Sequence, residues 1–357
     1  MLKQIRLFAL VAVLLLTTAL SAVHAQDDVF SVAVVSPSAT TDLAFSQSMY
    51  DALVLIQEDM GEEAFEFVFQ EGTFVVDDAA VALRDWASSG EYDLIIAHGS
   101  QYGSIVEELA PEFPDVSFAW GTDENTFGLD NVFAYTVAAE EGGFINGFLA
   151  AQFSATGNIG VVGPIEVGDA KLYVDGFKVG ANYANPETVV NVTYIQSFSD
   201  VPLATEAARA LIANGADILT GTAQMVVGPI AVVQEEELMW FGTQASQAEL
   251  AGDVGVMFQI YRWDVILKDM IAAIEEGTLG GETYVLTLEN EGLEIEISPF
   301  NTVLSDEGKA AMQEEIDGLI AQIIAKEIVI FPEEDMATAE AMMDGTAEAT
   351  AEATTAP

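Results

Sequence analysis

Residues Val29 to Gln47 read VFSVAVVSPSATTDLAFSQ. Val32 to Val35 form a continuous apolar, β-branched-rich run, the pattern of a strand buried on both faces of a parallel sheet. A loop of small polar residues follows, Ser36 to Thr41. Asp42 is placed to cap the next element, because its carboxylate can accept from the free N–H groups of a first helical turn. An apolar-periodic segment then runs from Leu43 to about Asp59. Strand, polar loop and helix together open a doubly wound α/β domain, whose ligands bind at the carboxyl ends of the strands. Taken alone, the stretch fits an ordinary strand–helix turn without a ligand equally well.

Outward from this stretch the alternation persists. Strands are expected at 65–69, 93–97, 116–120 and 132–137, with helices at 77–88, 103–110 and 140–153. A second set follows, with strands at 158–162, 189–195, 217–219, 238–241 and 255–259. Its helices fall at 171–183, 201–214, 224–236 and 263–275. Two short strands, 284–288 and 293–297, precede a last amphipathic helix at 306–326. Two successive βαβ sets imply an α/β protein of two doubly wound, Rossmann-like lobes joined by several crossovers. The expected lobes are 29–136 plus 254–280 and 137–253 plus 281–330.

The flanks differ in character. MLKQIRLFALVAVLLLTTALSAVHA has a basic start (Lys3, Arg6), an apolar core and a V-H-A ending. Residues 1–25 therefore read as a cleaved secretory signal, whose core is short for a membrane span of roughly 20 residues. The chain is then exported, periplasmic or at the cell surface. With no cysteine in the chain, neither a lipid-bearing cysteine nor a disulfide is expected. From Phe331 to Pro357 the Ala/Thr/Glu-rich composition predicts a disordered tail. The formal charge of −48 repels nucleic acid and anionic lipid. No metal cluster or phosphate-cradling glycine loop is evident, and no cofactor is expected.

Strand-end loops hold the candidate site. Ser36, Asp42, Phe45, His98, Gly99 and Asp123 come from the first set. Phe198, Thr222 and Gln244 come from the second, and Arg262 and Trp263 from the return crossing. Hydroxyls, amides and aromatics dominate. His98 with Asp123 could form an acid/base pair, but no companion nucleophile accompanies them, and a hydrogen-bonding histidine is the simpler assignment. Phe45, Phe198 and Trp263 could sandwich a flat ligand, where each stacked base is worth about 1–3 kcal/mol. Taken alone, each more often packs within its own lobe. Asp123 and Gln244 could select among donors and acceptors on a ligand edge.

Several segments carry a resemblance in the same order and spacing: DLAFSQS (Asp42–Ser48), DLIIAHGSQYGSIVEELAPEFPDVSFAW, EEGGFINGFLAAQFS, IGVVGPIEVGDAKLYVDGFKVGA, SFSDVPLATEAARALIANGADIL and WFGTQASQAEL. Over about Val29 to Lys326 the chain resembles the basic membrane protein family of ABC-transporter substrate-binding proteins, the purine-nucleoside-receptor-like type I periplasmic binding fold. The resemblance implies a monomeric, non-enzymatic receptor that closes two lobes on a purine base or nucleoside and delivers it to a membrane permease. It places Phe45 and Phe198 against the base and Gly221 on a ligand-lining loop. Ser46 stands where the family has asparagine. Gln244 and Arg262 stand where the nucleoside-binding branch has an Asp and a Lys that hold the ribose. The segments GTQASQ and YRW, which hold Gln244 and Arg262, look closer to the branch that binds free bases such as adenine. A sensor passing a purine or sugar signal to a membrane receptor, a sugar-binding protein of the same fold, and a purine hydrolase built on His98 and Asp123 are the alternatives.

Overall fold

The computed structural model describes residues 29–331. The expected signal segment lies outside the described residues, as does the expected tail beyond Phe331. Phe331 itself is half-buried and packs against the core.

Strands β1 (Phe30–Val35), β3 (Leu94–His98) and β4 (Ser117–Gly121) are buried at every residue. Their unbroken apolar runs are what helices on both faces of a parallel sheet require. β2 (Phe65–Gln70) lies at the sheet edge and is partly exposed. Helices α1 (Phe45–Met60), α2 (Val76–Ser89) and α3 (Gly103–Leu109) connect these strands, and β5 (Val132–Val137) follows. The second set comprises β6 (Asn158–Gly163), β7 (Val189–Tyr194), β8 (Ile218–Gly221), β9 (Met239–Thr243) and β10 (Gly255–Tyr261). Its helices are α4 (Ala139–Phe153), α5 (Gly168–Ala184), α6 (Val201–Ala213), α7 (Val227–Glu235) and a short α8 (Ser246–Ala251). The apolar pattern predicts no element over the short α8 stretch. The return segment contributes α9 (Trp263–Glu275), β11 (Thr283–Leu286), β12 (Leu293–Ile297) and α10 (Asp306–Ile324).

Two six-stranded sheets result, ordered β2-β1-β3-β4-β5-β11 and β7-β6-β8-β9-β10-β12. Pairing is parallel throughout except between β10 and β12. In each sheet the strand order reverses next to the first strand of the set, at β1/β3 and at β6/β8. Such a switch point leaves a crevice at the carboxyl ends, because the two flanking helices leave on opposite faces. The two crevices supply the cleft described below.

The expected lobe boundaries need correction. β10 bonds to β9 and β12 in the second sheet, whereas β11 extends the first sheet beside β5. α9 belongs with the first lobe: Trp263 Nε1 donates to Ser48 Oγ on α1 at 2.9 Å, and Lys268 Nζ to Asp59 at 2.7 Å. The chain therefore crosses between lobes after β5, after β10 and again between β11 and β12. Apolar patterning locates strands, but it carries no record of the edge they join.

One core cluster runs through both lobes on the side of these crossings. Its centre is the packing of α4 on α5, where the backbones approach closely. A Cβ at Gly143 would lie 2.3 Å from the Tyr173 carbonyl oxygen, and one at Gly147 2.0 Å from that of Phe177. Reciprocally, a Cβ at Gly176 would lie 2.3 Å from the Glu140 carbonyl oxygen, and one at Gly180 1.9 Å from that of Phe144. The four-residue glycine spacing on each helix puts both pairs on one face, and that face is the contact.

Candidate functional site

The loop after β1 is held rigid by its own polar groups. Asp42 caps α1 from ahead of the helix: Oδ1 accepts from the N–H of Ala44 (2.8 Å) and Gln47 (3.1 Å), and Oδ2 from that of Ser46 (3.2 Å). Ser36 Oγ donates to Ser46 Oγ at 2.8 Å, and both residues are fully buried. Ser38 Oγ donates to Asp42 as well. Ser36 and Ser46 thus fix the loop rather than facing a ligand, and Asp42 serves the helix start.

That loop delivers Phe45 to the wall of a cavity of about 350 Å³ between the lobes. One face of the Phe45 ring is already covered. His98 stacks on it with centroids 3.8 Å apart and an 8° tilt, and Trp263 meets it edge-on at 6.0 Å. His98 is wholly buried, with Nε2 3.2 Å from the Phe45 carbonyl oxygen and Nδ1 2.8 Å from the Tyr135 hydroxyl. A carbonyl only accepts, so Nε2 carries the proton and donates to Phe45, while Tyr135 donates to Nδ1. Burial lowers the His98 pKa to about 3, with the Phe45 carbonyl opposing the shift. The ring is neutral and hydrogen-bonded at both nitrogens, which leaves it no proton to exchange with a ligand.

The remaining cavity wall comes from loops of both lobes. Gly99, Ser100, Gln101, Thr122 and Phe74 join Phe45 from the first lobe. Phe198, Thr222, Gln224, Thr243, Gln244, Asp169 and Tyr261 contribute from the second. Leu43, Ala223 and Gln244 hold positive φ angles of 56°, 71° and 68°, a costly conformation for residues with side chains and one that concentrates at functional loops. The lobes touch at the cleft edge. Gln224 Nε2 donates to Ser38 Oγ (3.0 Å) and Asp42 Oδ2 (3.3 Å), and Gln247 Nε2 to the Leu43 carbonyl (3.1 Å). This is a closed arrangement.

Of the sequence candidates, Phe45, Gly99, Phe198, Thr222 and Gln244 meet at this cavity. The others sit elsewhere. Gly221 lies in β8, where a Cβ would be 2.7 Å from the Val162 carbonyl oxygen, so its smallness serves strand packing beneath the cleft. Asp123 is exposed and accepts the N–H of Glu124 (2.8 Å) and Asn125 (2.9 Å), a turn-closing role outside the cavity. Its carboxylate makes no hydrogen bond to His98, whose two nitrogens are both engaged elsewhere. Trp263 is fully buried behind Phe45 and cannot form the second half of a sandwich. Arg262 points away from the main cavity, its guanidinium bonded to Asp264 (2.9 Å) and Glu294 (3.1 Å).

Several wall residues escaped the sequence reading, Asp169, Tyr261, Gln101 and Phe74 among them. α5 was expected to begin at Lys171 and begins at Gly168, so the β6 strand-end loop gave no candidate. The rule that located the other loops would have pointed there. Asp169 carries the only charged side chain on the cavity wall. Its Oδ2 accepts from the Tyr261 hydroxyl at 3.2 Å. Burial pushes the Asp169 carboxyl up, against the hydrogen bonds of Tyr261 and the Ala170 amide, which favour the charged form.

A polar-and-aromatic cleft between two doubly wound lobes, crossed three times by the chain, defines a two-lobed binding protein of the periplasmic type. Residues 29–331 match the Bmp family, described as ABC transporter substrate-binding protein PnrA-like, and the chain belongs to that family. It is a solute-binding protein of ABC transport, in a family of binding proteins rather than enzymes. The chain is 28% identical over 258 residues to the purine-binding protein of Brucella abortus, covering 72% of each chain. It is 24% identical over 303 residues to the transcriptional activator protein med of Bacillus subtilis, covering 85% of this chain and 92% of that one. In structure it is similar to an ABC transporter system solute-binding protein from Conexibacter woesei. The TM-score is 0.72 at 24% identity, over 85% of this chain and 98% of the other.

Proposed function

We propose that the cleft takes a purine, as free base or nucleoside, laid flat against Phe45 and enclosed by Phe198, for delivery to a membrane permease by the exported protein. The observation that carries this reading is the Phe45 ring. Backed by His98 on one face and lining the cavity, it offers a rigid aromatic platform, and Phe198 comes to the same cavity from the opposite lobe. A flat ligand gripped from both lobes stabilises the closed form, which is the form a permease can distinguish from the open one. The volume suits a small ligand, near the lower end of the roughly 300–1,000 Å³ typical of such sites. Among the lining residues there is no Lys, Arg or His, so a phosphate would enter unpaired. This favours a base or nucleoside over a nucleotide. The relative named as a purine-binding protein supports the same ligand class.

Titration calorimetry of the purified protein with adenine, guanine, hypoxanthine, adenosine, guanosine and ribose tests the proposal. A base or nucleoside should bind. Phe198→Ala should weaken it by about 1–3 kcal/mol, roughly 5- to 150-fold. A folded protein that binds none of the purines would overturn the reading.

A further inference from the structure

Resting on the purine reading, we propose that Asp169 is the specificity-determining residue of the cleft and that it selects a purine presenting two adjacent N–H donors, the guanine type. Asp169 is the one carboxylate on a wall otherwise built of aromatics, amides and hydroxyls. No cation lies on that wall to pair with it. The Tyr261 hydroxyl donates to Oδ2 at 3.2 Å and is itself held in place. Tyr261 is 4% exposed, and its ring meets Trp263 edge-on at 5.5 Å. Asp169 stands in the first turn of α5, a 17-residue helix packed glycine-to-glycine on α4. Its backbone position is therefore tied to a helix held by a close-packed contact.

A carboxylate accepts and does not donate, and its two oxygens can take two parallel N–H bonds at once. Guanine offers such a pair on one edge, the ring N1–H and the 2-amino group. Hypoxanthine keeps N1–H but lacks the 2-amino group, so one oxygen loses its partner. Adenine sets an acceptor, N1, beside its amino group, so its lone pair would face the carboxylate. A buried polar group left without a partner is costly, and that asymmetry turns a single side chain into a filter. The three amides of the cavity, Gln101, Gln224 and Gln244, can donate and accept, and can serve any purine. Asp169 alone imposes a sign.

The test is competitive calorimetry with guanine and hypoxanthine, and with guanosine and inosine, which differ within each pair only by the 2-amino group. Adenine is the third arm. The wild-type protein should bind the 2-amino member at least 10-fold tighter. Asp169→Asn, similar in shape, should reduce that preference to under 3-fold by weakening the 2-amino ligands more than the hypoxanthine type. Circular dichroism should show the variant folded. Purine binding with no 2-amino preference, a preference unchanged in Asp169→Asn, or adenine bound more tightly than guanine would each overturn the assignment and leave the purine cleft standing. Absence of binding by every purine would remove the purine reading and this one with it.

Discussion

His98, behind the Phe45 ring, makes the stability of the protein depend on pH. In the unfolded chain its pKa is the ordinary 6.5; in the folded protein burial holds it at about 3. Below pH 6.5 the unfolded state takes up a proton that the folded state refuses, so stability falls as pH drops from 6.5 towards 3. Between pH 7.5 and pH 5 the loss is about 2 kcal/mol, one and a half pKa units at about 1.4 kcal/mol each. Glu140 acts in the opposite sense over much of the same window. Burial first, with Glu141 and Glu124 nearby, pushes its pKa from 4.5 up to about 7. The folded state then holds a proton that the unfolded state has released, and stability falls as pH rises from 4.5 through 7. The two groups partly cancel, so the pH profile of the intact protein alone does not report His98. Urea unfolding of wild type and His98→Asn at pH 7.5 and pH 5 does. The variant is expected to be less stable at both values, and the wild type should lose about 2 kcal/mol more than the variant on going to pH 5. Equal losses in the two proteins would refute the argument, because His98 would then titrate alike in both states.

Three further outcomes follow from the packing. Gly147→Ala puts a methyl group 2.0 Å from the Phe177 carbonyl oxygen, and overpacking of this kind costs about 1–3 kcal/mol or more, measurable as a lower urea midpoint. Tyr135→Phe leaves His98 Nδ1 buried without its donor, a cost of about 1–3 kcal/mol, to be read by thermal or urea unfolding with ligand absent. Asp123→Asn should leave ligand affinity within about twofold by calorimetry, since Asp123 closes an exposed turn outside the cavity; a larger loss would return it to the site.

Much of the fold was legible. The apolar runs of β1, β3 and β4 are strands in the structure within a residue or two of where patterning put them, because a strand covered on both faces has no room for polar alternation. Asp42 was identified as a cap and does cap α1, since a carboxylate near a helix start meets free amides only a few residues away. The site was legible as a set of loops and much less so as a set of side chains. Phe45, Phe198 and Trp263 look alike in sequence, as aromatics at element edges. Phe45 and Phe198 line the cavity, and Trp263 is sealed behind Phe45.

The features legible in the chain alone are local: where strands and helices form, how they alternate, and which loops fall at strand ends. Family membership was legible too, because it is carried by the order and spacing of short segments such as DLAFSQS and EEGGFINGFLAAQFS. The packing of the two lobes settles the rest. It placed β10 in the second sheet and β11 in the first, turned Arg262 to its carboxylates, set Asp123 in a turn and brought Asp169 with Tyr261 to the cavity wall. Periodicity records whether a residue is buried, and burial is a property of one stretch of chain. Which surface buries it, and whether that surface is protein core or ligand cavity, depends on elements far away in sequence, brought together only when the two lobes pack.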